Sequence, residues 1–171
     1  MNKMKDIMVE KVTLNIGIGA PGDKLNNAMK LLSTISGLKP AQTSSNKRIP
    51  TWGVRPKLPI ACMVTVRGKK GEELLRRLLT AIDNKLHVRK IDKFGNFSFG
   101  IHEYIDIPGV KYDPVVGVIG LETATTLIRK GYRIQNRKIQ KRKVPLRHKI
   151  KKEETIEFLK NKFSVKIEEE E

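Results

Sequence analysis

The sequence predicts a single domain of the α+β class, on three observations. Two segments read as strands, Val9 to Ile18 by alternating apolar and polar residues and Ile60 to Arg67 by setting Ile60, Cys62, Val64 and Val66 against Ala61, Met63, Thr65 and Arg67, apolar on nearly both faces at its start. Two others carry apolar residues at helical spacing, Leu25 to Ile35 and Leu74 to Leu86. The 171 residues can enclose one hydrophobic core and are too few for two large ones.

Charge is the strongest functional signal. Lys and Arg outnumber Asp and Glu 35 to 18, a net charge of +17. The tract Arg129 to Lys152 holds twelve of these cations and no acid; without it the net charge falls to +5. A second stretch, Lys24 to Gly71, holds ten and again no acid. Segregated basic blocks in an otherwise slightly acidic chain point to a one-sided, salt-sensitive face for a polyanion. The lone Cys62 excludes an internal disulfide framework and suits a reducing compartment. No apolar run approaches the ~20 residues that span a bilayer, and the N-terminus lacks the apolar centre of a secretory leader. The expectation is a soluble, intracellular protein with no membrane partner.

In order, the first strand sets Val12, Leu14, Ile16 and Ile18 on one side and Lys11, Thr13, Asn15 and Gly17 on the other. The second side carries short hydrogen-bonding groups, suited to a partner's backbone or sugars or simply to water. Gly17, Gly19 and Gly22 spell G-x-G-x-x-G, but the carboxylate that a dinucleotide site needs about 20 residues on is absent. The glycines read instead as a tight strand-to-helix turn. Asp23 is the expected N-cap of the first helix, which Gly37 and Pro40 stop.

Ala41 to Ser45 suits an edge strand. Lys47 to Pro59 has three prolines, a glycine and the only Trp, and reads as a long surface loop. Trp52 is expected to anchor its base, the alternative being a stacking surface for a base or ribose. Ile60 to Arg67 is a strand expected inside the sheet. Gly68-Lys69-Lys70-Gly71 follows it. The next helix is marked by Leu74, Leu75, Leu78, Leu79, Ile82 and Leu86, with Glu72 and Glu73 at its N-terminal dipole.

Phe94, Phe97 and Phe99 read either as core or as base-stacking aromatics, core being the more frequent fate. His102 and Glu103 are adjacent, so on a strand they point apart and cannot act as an acid-base pair. Neither a metal-ligand spacing nor a nucleophile constellation occurs, so no catalytic residue, metal or cofactor is expected. Val115 to Leu121 and Ala124 to Ile128 add strand-prone sequence. The basic tract is expected to be unstructured without RNA and to order on it, since Tyr132, Ile134, Ile139, Val144, Leu146 and Ile150 are spaced through it. A last helix follows with Glu153 and Glu154 at its start and Ile156, Leu159 and Phe163 on its core side. Val165 to Ile167 is a further strand, and an acidic tail covers 168–171.

Four phrases together, VTLNIGIG at Val12 to Gly19, AIDNKL at Ala81 to Leu86, GNFSFGIHEYIDIPGVKYDP at Gly95 to Pro114 and KGYRI at Lys130 to Ile134, resemble the fifth protein of the large ribosomal subunit in its archaeal form. The likeness covers nearly the whole chain. It implies a mostly antiparallel sheet with helices packed on one face, plus long basic loops, in one domain over 1–171 with a basic insertion at 129–152. It implies a cytoplasmic, ribosomal, non-enzymatic protein that attaches 5S ribosomal RNA to the large-subunit RNA in the central protuberance, beside other 5S-binding proteins.

By the same resemblance, 5S RNA contacts fall on Lys11, Thr13, Asn15, Thr65, Arg67 and Lys69. Lys47, Arg48, Trp52, Arg55 and Lys57 lie in a loop near P-site transfer RNA. Arg133, Arg137, Lys138, Lys141, Arg142, Lys143 and Arg147 form a ribosomal-RNA-binding arm. Val110, Lys111, Tyr112 and Asp113 lie in the region that helps bridge to a protein of the small-subunit head.

Overall fold

A computed structural model describes residues 2–168; of the expected acidic tail, 169–171 lie outside the described residues. The strand-period segment becomes β1, Ile7–Gly17. It leads into helix α1, Asp23–Ser36, which ends on Gly37 in the left-handed conformation, its N–H bonded to Ser33 O at 2.8 Å. Strand β2, Ala41–Ser44, is followed by β3, Pro59–Arg67, and helix α2, Gly68–Thr80. After the short β4, Lys85–His87, come β5, Phe97–Ile101, and β6, Leu121–Arg129. A single helical turn α3, Arg133–Asn136, helix α4, Lys152–Phe163, and strand β7, Lys166–Glu168, complete the order.

Five strands form one sheet in the order β2-β3-β1-β6-β5, antiparallel throughout. The α+β, mostly antiparallel expectation therefore stands. The exception is a separate parallel pair of β4 and β7. On one face of the sheet Val12, Leu14 and Ile16 of β1 meet Cys62, Val64 and Val66 of β3, with Phe97, Phe99 and Ile101 of β5 beyond. Leu25, Ala28, Leu32 and Ile35 of α1, Leu74, Leu75, Leu78 and Leu79 of α2, and Leu159 and Phe163 of α4 close the same cluster. Phe97 and Phe99 thus take the core reading, ring on ring at 6.4 Å. Burial pushes the Cys62 thiol's pKa up, keeping it a protonated, apolar filler.

Several elements differ from the sequence reading. Gly22, with φ 131, caps α1, and Asp23 is its first residue, still favourable to the helix dipole. α2 begins at Gly68, so the basic Gly68 to Gly71 run is its first turn, not a loop, and Glu72 and Glu73 fall in the second. A glycine is needed at 71 because a Cβ there would stand 2.9 Å from Val66 O, where the helix folds back on β3. α2 also stops at Thr80 and not near Leu86. Asp83 and Asn84 turn left-handed, φ 55 and 54, and carry Leu86 into β4, where it is buried all the same. Burial on both sides of the turn mimicked helical spacing. Val115 to Gly120 is loop, broken by Pro114, Gly117 at φ 71 and Gly120, where a Cβ would stand 2.9 Å from His102 O.

Candidate nucleic-acid interface

The strand period that buries Val12, Leu14 and Ile16 places Lys11, Thr13 and Asn15 on the opposite face, away from the apolar cluster that α1, α2 and α4 close. Register then decides their neighbours. Lys11 pairs with Arg67, Thr13 with Thr65 and Asn15 with Met63 on one side; on the other they meet Thr126, Ala124 and Glu122. Ser98 and Gly100 of β5 extend the row through Ala124 and Glu122. The outer face is therefore a platform of short polar and small side chains, with Thr13 Oγ1 and Thr65 Oγ1 3.4 Å apart and the Asn15 amide donating to Glu122 Oε2 at 3.1 Å.

Such a face offers hydroxyl and amide groups to sugars and backbone, with Lys11 and Arg67 at hand for phosphates. The two acids on it are held: Glu122 by Asn15, and Glu10 by Arg67 at 3.2 Å. Five of the six residues expected to touch 5S RNA are thus neighbours on this face; Lys69 stands off it, exposed on the first turn of α2.

The basic tract adjoins one end of the platform. Arg129 is not part of a loop but the last residue of β6, its side chain 6% exposed and its guanidinium 2.6 Å from Glu154 Oε1 on α4. Burial disfavours the Glu154 carboxylate. The Lys151 N–H, the Arg129 hydrogen bond and the charges of Arg129 and Lys151 together outweigh burial and hold its pKa below the ordinary range.

Between these anchors the arm folds back on itself. The Tyr132 hydroxyl donates to His148 O at 3.3 Å, His148 Nε2 lies 2.9 Å from Lys130 O, and Arg142 N–H donates to Ile134 O at 3.0 Å. Val144 and Ile150 are buried, and Ile139 and Leu146 are exposed. The structure thus differs from an unstructured tract: apolar residues at 144 and 150 and main-chain bonds give it a fixed path. Arg133, Lys138, Lys141, Arg142, Lys143 and Arg147 are exposed, and among the described residues none makes an ion pair. Arg137 is half-buried and bonds Gln140 O at 2.8 Å.

The loop between β2 and β3 is an ordered hairpin. Lys57 and Ser45 bond across its stem at 2.8 Å, and Ile49 and Val54 exchange bonds of 2.9 and 3.1 Å nearer the tip. Pro50–Trp52 is a tight helical turn there. Trp52 is 76% exposed, so it does not anchor the loop; Val54, 6% exposed, does. The hairpin bonds fix the loop locally, which frees the large ring from that task. Lys47, Arg48, Arg55 and Lys57 are exposed around it.

Elsewhere, Val110 packs against the core while Lys111, Tyr112 and Asp113 are exposed. Their turn is fixed by Arg77, which donates to Pro108 O at 3.1 and 3.0 Å, and by the Asp113 N–H donating to the Tyr104 hydroxyl at 3.0 Å. His102 and Glu103 are both exposed. Among the described residues no His, Cys, Asp and Glu cluster could hold a metal, and no helix is long and apolar enough to cross a membrane.

Glu122, Ala124 and Thr126 of β6 and Ser98 of β5 join the platform although the sequence did not mark them; the period of two in Leu121 to Arg129 shows that the three β6 residues share a face, and only the strand order shows which face that is.

The family model described as Ribosomal protein L5 matches residues 2–55, and that of the C-terminus of the same ribosomal family matches residues 59–158. The chain is 43% identical over 168 residues to the large ribosomal subunit protein uL5 of Methanosphaera stadtmanae, covering 98% of this chain and 100% of that one. It is 44% identical to the uL5 protein of Sulfurisphaera tokodaii, covering 98% and 95%, and 47% identical to that of Nanoarchaeum equitans, covering 96% and 97%. A chain matched in both halves by the family's models, and end to end by these relatives, belongs to the ribosomal protein L5 family.

Proposed function

We propose that the outer face of the five-stranded sheet binds 5S ribosomal RNA and that the arm beside it holds large-subunit RNA, so that the chain attaches one to the other in the central protuberance. Family membership makes the protein a structural, non-enzymatic constituent of the large ribosomal subunit in the cytoplasmic ribosome. The observation that carries the finer reading is the platform itself. The outer sheet face bears Thr13, Asn15 and Thr65 as short hydrogen-bonding groups, with Glu10 paired to Arg67, Glu122 accepting from Asn15, and at its end cations that make no ion pair among the described residues.

Lys11, Arg67 and Lys69, with Arg133, Arg137, Lys138, Lys141, Arg142, Lys143 and Arg147 of the arm, supply phosphate contacts. Thr13, Asn15 and Thr65 read the shape and 2′-hydroxyls of the RNA. The exposed hairpin tip, with Lys47, Arg48, Trp52, Arg55 and Lys57, reaches toward P-site transfer RNA. The turn bearing Val110, Lys111, Tyr112 and Asp113 meets a protein of the small-subunit head. Other 5S-binding proteins complete the assembly.

Competition binding tests this reading. At physiological salt the protein retains 5S RNA against an excess of random duplex RNA or DNA of the same length, and Asn15→Ala weakens that preference in a way that added salt does not reproduce. Equal affinity for 5S RNA and the random duplex contradicts it.

A further inference from the structure

Of the five phenylalanines, Phe94 alone is exposed, at 49%, while Phe97, Phe99 and Phe163 are buried. Its outward position is imposed by the turn that carries it. Gly95 N–H donates to Asp92 O at 3.0 Å, and Asp92 N–H donates to Asn96 O at 2.7 Å. Gly95 itself is buried at φ 79, its carbonyl accepting the Thr155 hydroxyl at 3.1 Å. With residue 95 pinned into the core, the ring of residue 94 is left standing in solvent, and Lys149 Nζ of the arm sits 4.2 Å from its centroid.

The ring borders a groove of about 830 Å³ where the arm meets the platform, a size within the roughly 300–1,000 Å³ of small-ligand sites. Lys11 and Arg67 enter it from the sheet, and Arg133, Gln135 and Lys149 from the arm. Its one acid, Glu10, is paired with Arg67. An aromatic surface, an amide and four cations around one cavity of that size match the parts of one nucleotide: a ring to stack, a base edge to hydrogen-bond and flanking phosphates to neutralise. A regular A-form duplex cannot fill it in this way, because it shows base edges, sugars and phosphates at its surface while the base faces stay stacked inside, with none free to lie on the ring.

We propose that this groove takes a single unpaired nucleotide extruded from folded RNA, its base stacked on Phe94 and its phosphates held by Lys149, Arg133 and Lys11. The site lies between the two parts assigned above to RNA, so it rests on the RNA-binding reading and adds to it a preference for RNA with an unpaired residue. Extrusion costs least where the base is already unpaired, which makes a bulge the natural ligand.

The test uses the full chain and two RNA hairpins identical but for one bulged nucleotide. The wild type binds the bulged hairpin more tightly, by roughly tenfold, the scale of one base–aromatic stack. Phe94→Leu removes that preference without lowering the melting temperature, since the ring is exposed. In a Trp52→Phe background, where residue 94 then carries the single indole, Phe94→Trp keeps the preference, and its emission is quenched by the bulged hairpin and not by the paired one. Equal wild-type affinity for the two hairpins, or a preference that survives in Phe94→Leu, overturns the proposal. If Phe94→Leu does not fold, the Trp signal decides alone: quenching supports the site, and no quenching rejects it. Failure of the underlying reading is separate, since it shows as equal wild-type affinity for 5S RNA and a random duplex.

Discussion

Two residues carry the joint between arm and sheet, and each gives a stability prediction. At Gly95 a Cβ would lie 2.5 Å from Thr155 Oγ1 and 2.6 Å from Ile150 Cγ2, on a backbone already at φ 79. Gly95→Ala combines left-handed strain with overpacking and is expected to cost about 2–4 kcal/mol, read from urea unfolding; an unchanged midpoint would remove Gly95 from this role. At Arg129 the guanidinium is nearly buried and Glu154 is its partner. Glu154→Gln is expected to cost about 1 kcal/mol, below the roughly 1.5–3 kcal/mol of a charged hydrogen bond because Glu154 is 38% exposed and screened by solvent. The folded pKa of Glu154 is below its ordinary 4.5, so its contribution is complete above that value and is lost as pH falls through the lowered folded value. Wild type therefore loses more stability than Glu154→Gln on acidification below 4.5, and parallel pH profiles would contradict this.

At the scale of elements, what was legible depended on whether a local pattern decided the structure. β1 and β3 were legible because alternation leaves one register that buries the apolar side. α1 was legible because Gly37 stops it. The Leu74 to Leu86 segment was not, because two left-handed residues after Thr80 turned a helix-like spacing into helix plus strand. Trp52 was misjudged because main-chain bonds across the hairpin are invisible in composition. Being 76% exposed, it gives a sharp expectation: Trp52→Ala leaves stability within about 0.5 kcal/mol while reducing photocrosslinking of the loop to transfer RNA on assembled ribosomes. A large fall in melting temperature would restore the anchor reading. In the arm, where charge is exposed and packing rests on Val144 and Ile150, replacing Lys138, Lys141 and Lys143 by Gln should leave the melt unchanged. The slope of log affinity against log salt should become shallower by up to about 2–3; an unchanged slope would mean that these cations touch no phosphate.

For the whole molecule, the division of labour is between two sheet faces. One is closed by α1, α2 and α4 over an apolar cluster, and the other carries Lys11, Thr13, Asn15, Thr65 and Arg67 beside an arm of unpaired cations. The polar side of β1 was visible in the sequence, since period two separates it from the core. The other half of that face, with Glu122 and Ser98, depends on which strands become neighbours. Pairing across more than a hundred residues, as between Asn15 and Glu122, is set by tertiary packing and by no local signal. The central claim is that RNA lies on this open face and along the arm. Ultraviolet crosslinking of the full chain to 5S and large-subunit RNA, followed by sequencing of the crosslinked peptides, tests it most directly. The account predicts crosslinks within Lys11 to Asn15, at Thr65 and Arg67, and in Arg133 to Arg147; crosslinks confined to the outer surfaces of α1 and α4 would contradict it.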